Sequence, residues 1–325
     1  MIDATAATPV WLRILRNPIS RILLFSLLAF GLYALMYRLL PPPKMTMSEL
    51  VRMDGAELWR YSLRSLVPIA LAYWLMVRVI EGRKVSELSP RKLPLAGIGW
   101  LVGMGLMLAA AALLAAFGAY RVHGMNESVE LLAPLVVLGL LPGITEEIIV
   151  RGVLFRVVED GLGSWAALVL SAAIFGGMHL ANPNATTWSS IAIAVEAGLL
   201  LGFAYAWTRS LWFCIGLHAA WNFTQGPLLG IPVSGIEQRG WLDATLSGPT
   251  WLSGGEFGAE ASVLTVVLCT SLARLVRVAR ASQRSPPSAV LGSHRCHART
   301  PRSRTIGPAR KQGRLECRLG PVQAV

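Results

Sequence analysis

Charge is scarce in this 325-residue chain. Asp, Glu, Lys and Arg together make up 15% of it, against about 25% in an average soluble domain. Acids are the scarcer sign, 18 against 30 Lys and Arg. Cysteine is scarce too: Cys214, Cys269, Cys296 and Cys317 include no CxxC and no loop pair, which excludes a disulfide framework or a zinc ribbon. HExxH is missing, so a thermolysin-type zinc helix is excluded, and neither GxSxG nor a P-loop pattern occurs. No repeat recurs at a fixed period, and no paired half-helices mark a symmetric transporter.

In place of these the chain has apolar length. It is 54% hydrophobic with a mean hydropathy of +0.54, and its apolar residues arrive in blocks near the roughly twenty that span a bilayer as a helix. A soluble chain of this size would hold about two domains. The blocks instead predict an all-α, polytopic transmembrane helix bundle of about eight spans, at 22–40, 65–80, 95–120, 129–158, 164–180, 189–207, 211–225 and 261–278. The first is too long for a signal-peptide core and is closed by no clean A-x-A site, so it reads as an uncleaved anchor behind Arg13, Arg16 and Arg21. Pro41, Pro42 and Pro43 stop it. The third block is rich in Gly and Ala, which lets helix backbones approach closely.

The net charge of +12 is a local matter. Ten of the 30 Lys and Arg lie between Arg280 and Arg318, in a Ser/Pro-punctuated tail with one acid, Glu316. Most others flank the apolar blocks as the positive-inside rule expects, although Lys44, Arg52, Arg60 and Arg64 break it. Four segments follow: a cytoplasmic N-terminus (1–21), N-terminal spans (22–120) with an interfacial stretch at 41–64, a membrane core (121–279) and a basic, disordered tail (280–325). This predicts a multi-pass integral membrane protein, in the plasma membrane if the host is bacterial, with its N-terminus and tail cytoplasmic. Nucleic acid is not an expected partner.

Ionisable groups inside spans are costly, so each is a functional hypothesis. Of five histidines, His294 and His297 lie in the tail and His123 in a loop; only His179 and His218 fall inside spans. Glu146 and Glu147 are adjacent on a helix and point about 100° apart. Arg151 follows Glu147 by four residues, the favoured spacing for a helical ion pair. Glu147 and Arg151 therefore neutralise each other, and Glu146 is left free as a general base; a structural charge network is the alternative. His179 closes F-G-G-M-H one turn after Phe175, where Gly176 and Gly177 thin the helix; a core histidine bonded to a carbonyl is its bland reading. His218 and Asn222 share a face in H-A-A-W-N and could ligate a metal or donate to an oxyanion, or simply join helices. Glu196 is a lone acid in the sixth span, either orienting a histidine or structural.

Taken in order, E-E-I-I-V-R (146–151), F-G-G-M-H (175–179) and H-A-A-W-N (218–222) resemble the EExxxR, FxxxH and HxxxN blocks of the CPBP family. These intramembrane proteases include the CAAX prenyl endopeptidases and the bacteriocin-processing Abi proteins. The likeness covers roughly 128–225, and H-L-A-N-P (179–183) and S-G-G-E-F-G-A-E (253–260) look like stretches that often follow in bacterial members. It implies that Glu146 activates water, with His179 as its partner, His218 and Asn222 as metal ligands or oxyanion donors, and Glu147, Arg151 and Phe175 in support. It also implies zinc held by His179, His218 and Glu146, with a metal-free glutamate mechanism left open. The expected function is endopeptidase cleavage near the membrane-anchored end of a peptide or protein, and the expected partners are the bilayer and that tethered substrate. A non-catalytic immunity or scaffold protein, and a proton-coupled transporter relaying through Glu146, His179 and His218, are the rivals.

Overall fold

The computed structural model describes residues 9–284 except 43, 44, 46, 51 and 54. The expected basic tail lies outside the described residues from 285 onward, as do residues 1–8. A short helix, α1 (Val10–Leu15), gives way at Asn17, whose side-chain oxygen accepts the Ile19 N–H at 3.0 Å. Pro18 stands where a helix needs no N–H, and α2 runs Pro18–Leu39. After α3 (Met47–Leu50), α4 (Gly55–Leu75) continues through a π-helical turn to Ile80. Residues 55–64, expected at the interface, are therefore the first turns of a membrane-length helix. Their cations find local partners: Arg60 pairs with Glu57 at 2.6 Å and Arg64 donates to Leu40 O at 3.2 Å, so the long side chains serve a helix entrance.

There follow α5 (Pro94–Ala116), β1 (Tyr120–Met125), α6 (Leu132–Pro134), α7 (Leu141–Glu147), α8 (Arg156–Met178), α9 (Thr187–Ile193), α10 (Leu199–Thr208) and α11 (Leu211–Phe223). The described residues close with β2 (Leu242–Leu246), α12 (Thr250–Ser253) and α13 (Val263–Arg284). π-Helical turns join α6 to α7 (Leu135–Leu140), α7 to α8 (Ile148–Phe155) and α9 to α10 (Ala194–Gly198), and another follows α11 (Thr224–Leu228). Such turns occur frequently at functional sites.

The architecture is an all-α polytopic bundle. Five helical stretches are long and apolar enough to cross a membrane: Pro18–Leu39, Gly55–Ile80, Pro90–Ala116, Leu132–Ala181 and Thr187–Thr208. Two expected spans, 129–158 and 164–180, fall within the single 50-residue stretch Leu132–Ala181. The chain turns inside it at Gly163, whose φ of +82° needs a residue without Cβ. The spans expected at 211–225 and 261–278 correspond to α11 and to the apolar part of α13, Val263–Leu275, both shorter. One element was not legible as apolar periodicity: β1 and β2 pair antiparallel, with an irregularity between Val122 and Gly124.

α11 is buried without interruption from Cys214 to Asn222, His218 and Asn222 included. Its closeness to α5 depends on glycine. A Cβ on Gly99 would meet Phe213 O at 2.1 Å, and one on Gly103 would meet Leu217 O at 2.2 Å. At one end of the bundle an ion network ties α2 to the start of α8: Arg21 reaches Glu81 at 3.2 Å and Asp160 at 2.8 Å, and Arg156 reaches Glu81 at 2.9 Å. Arg83 binds Glu81 at 2.8 Å and Glu87 at 2.7 Å, while the Tyr73 hydroxyl donates to Glu87.

Candidate active site

Glu146 and Glu147 end α7, and the helical turn between them separates their roles. Glu146 is a quarter exposed and lines a cavity of about 290 Å³, and its Oε2 is buried with no hydrogen-bond partner. Glu147 points into the bundle and is fully buried. Its Oε1 accepts from Arg151 Nη1 at 2.8 Å, as the i, i+4 spacing predicts, and also from His218 Nδ1 at 2.9 Å. Arg151, equally buried, donates to Ala197 O and Gly198 O at 3.2 Å and lies 4.7 Å over the Phe175 ring. The guanidinium thus pins α7 to the turn Ala194–Gly198 and sets the ring that packs both histidines, 4.8 Å from His179 and 6.1 Å from His218.

The histidine tautomers follow from their partners. His179 caps the C-terminus of α8, and its Nδ1 lies 2.8 Å from Phe175 O, which can only accept. Nδ1 therefore donates, and in the neutral ring that leaves the lone pair on Nε2. His218 Nδ1 donates in the same way to Glu147, and its Nε2 stands 4.0 Å from Glu146 Oε2. An imidazole bonded behind through Nδ1 and open at Nε2 is the arrangement that metal ligands use, so the donor chemistry of His179, His218 and Glu146 suits zinc. Among the described residues, however, no three His, Cys, Asp or Glu side chains are drawn together as a metal site. Gly176 gives the helix its close neighbour, since a Cβ there would meet Ser190 O of α9 at 2.3 Å, whereas Gly177 faces open space.

Asn222, one turn after His218, donates Nδ2 to Leu138 O at 2.9 Å. The i+4 residue of that carbonyl is Pro142, which has no N–H to give it. Asn222 lines the cavity and retains a second amide N–H.

All of Glu146, Phe175, His179, His218 and Asn222 line the one cavity, with Glu147 and Arg151 behind it. Glu196 lines it too, but does not orient a histidine: both Nδ1 atoms are engaged elsewhere, and both of its own oxygens are buried without partners. Glu260 was missed as a site residue, although it ends the S-G-G-E-F-G-A-E stretch. It lines the cavity and clamps the loop after α11, accepting the Ser234 N–H at 2.6 Å and the Ser234 hydroxyl at 3.2 Å. Burial pushes the Glu260 carboxyl above its ordinary range, and the Ser234 N–H pulls against it. Asn182, in the H-L-A-N-P stretch, holds the same loop through Ser234 O at 3.1 Å.

No curated protein and no solved structure matches the chain. Residues 128–224, which carry the acid pair, both histidines and Asn222, match the model of the family described as Type II CAAX prenyl endopeptidase Rce1-like, so this segment is an Rce1-like domain of the CPBP/CAAX-protease family.

Proposed function

We propose that this integral membrane protein is an endopeptidase that hydrolyses a peptide bond near the membrane-anchored end of its substrate. The observation that carries the reading is Glu146: an acid with an open, buried oxygen 4.0 Å from His218 Nε2, facing a cavity inside an apolar bundle. Water in that cavity gives a proton to Glu146 as its oxygen attacks the scissile carbonyl. Glu146 then passes the proton to the departing amine nitrogen. With no metal bound, the lone pair on His179 Nε2 orients the water. The free N–H of Asn222 faces the developing oxyanion, and donors of that kind act strongly where bulk water is excluded. Glu147 holds His218 in one tautomer, and Arg151 pairs with Glu147 behind the cavity.

Zinc dependence is part of the proposal, with His179, His218 and Glu146 as the donors. Bound there, zinc would supply Lewis-acid polarisation of the carbonyl and a more acidic water. The N-terminus and the basic tail are placed in the cytoplasm on the distribution of Lys and Arg.

The test is cleavage of membrane-tethered peptides by the purified full-length protein in lipid. Turnover should fall about 10²- to 10⁴-fold in Glu146→Gln, the range for loss of a general base, while the melting temperature stays close to that of the wild type. Near-normal turnover by Glu146→Gln would remove Glu146 from the mechanism. Absence of any cleavage by the wild type would favour a non-catalytic scaffold.

A further inference from the structure

The cavity holds more acid than the proposed chemistry uses. Glu196 lies on the turn Ala194–Gly198 with 1% of its surface exposed, and neither of its carboxylate oxygens has a hydrogen-bond partner. The wall on either side is apolar, with Ile193 about one turn before it and Leu200 one turn after. Glu260 lines the same cavity, within electrostatic reach of both Glu196 and His179. Among the described residues that line the cavity there is no Lys or Arg. Arg151 comes near, through its bonds to the carbonyls of Ala197 and Gly198, but its ion pair is with Glu147.

Buried acceptors are expensive to leave unbonded, and nothing in the wall completes these two. A site that keeps acceptors open, supplies no cation and adds a second acid nearby suits a ligand that brings donors and positive charge. A lysine ammonium brings three donors, and an arginine guanidinium a fork that matches two carboxylate oxygens. Resting on the endopeptidase reading, we infer that Glu196, backed by Glu260, forms an acidic subsite of the cleavage cavity that takes a lysine or arginine side chain of the substrate. The aliphatic stem of that residue lies along the apolar wall while its charged end meets Glu196. Such a subsite discriminates well, because a neutral residue leaves the acid uncompensated.

The test reads binding, so that it does not depend on turnover. Full-length Glu146→Gln protein in detergent micelles is titrated with a palmitoylated, fluorescent, otherwise apolar peptide. Lysine, norleucine or glutamate is scanned along the peptide one position at a time. At one position lysine should bind about ten- to a hundredfold more tightly than norleucine, the range for a charged hydrogen bond, with glutamate weakest. Adding Glu196→Gln should bring the lysine-to-norleucine ratio toward one, and Glu196→Leu should do the same should the glutamine variant fold poorly. Equal affinity for lysine and norleucine at every position, or no binding at all, overturns the inference without recourse to any Glu196 variant. A lysine preference that survives both Glu196 changes in folded protein overturns it as well. Failure of the wild type to cleave any of these peptides would count against the endopeptidase reading alone.

Discussion

Glu147 is the most heavily shared atom group in the site, and removing it gives a measurable cooperative signature. Its Oε1 accepts from Arg151 at 2.8 Å and from His218 at 2.9 Å, with both carboxylate and guanidinium out of reach of solvent. Glu147→Ala leaves the Arg151 charge with only two carbonyls at 3.2 Å and the Phe175 face. Breaking a buried pair from one side costs about 3–5 kcal/mol, because a charge is left uncompensated. Arg151→Ala costs the same class of energy, since Glu147 then keeps only the His218 N–H. Were the two losses independent, the double variant would lose about 6–10 kcal/mol. With no orphaned charge left, it should lose about as much as either single change, a coupling of about 3 kcal/mol or more. The four proteins of this cycle can be compared by unfolding in detergent micelles. Losses that add to within about 0.5 kcal/mol would refute the pairing. Activity separates a second role: Glu147→Gln retains an acceptor for His218 and should keep more turnover than Glu147→Ala at matched stability.

Asn222→Ala should lower kcat by about 10²- to 10³-fold, as loss of an oxyanion donor does; unchanged kcat in folded protein would reduce Asn222 to a tie between α11 and Leu138. Zinc should co-purify at about one ion per chain and be lost in His179→Ala or His218→Ala, with affinity falling at low pH as the imidazoles protonate. Full activity of chelator-washed, metal-free protein would leave Glu146 as an unaided base. Burial pushes the Glu87 carboxyl up, but hydrogen bonds from Arg83 and Tyr73 outweigh it and bring it to about 2. A depressed carboxylate stabilises the fold above its ordinary value and loses that contribution as pH falls through the folded one, here about 3 kcal/mol between about pH 5 and pH 2. The stability gap between wild type and Glu87→Gln should therefore close on acidification, and a gap that stays constant over that range would contradict the assignment.

The membrane character, the Glu147–Arg151 pair and the His179–Phe175 carbonyl bond were all within reach of the amino-acid sequence. Each is a matter of local period: a run long enough to cross a bilayer, or partners four residues apart on one helix. The ordered blocks around Glu146, His179 and His218 picked out, for the same reason, side chains that line one cavity. Other features depended on contacts that no local period encodes. Glu147 serves His218 from 71 positions away, so it is an orienting group as well as a neutralised one. Asn222 meets Leu138 O, 84 positions away, because α11 packs against that turn. Glu260 lines the cavity and holds the loop at Ser234, whose φ is +48°. The entry of α4 at Gly55 and the pairing of β1 with β2 were hidden behind mixed charge and a long Gly/Pro-rich connection. Helical spacing decides which residues share a face; only the packing of the faces decides which of them meet, and at this site the decisive meetings are between helices.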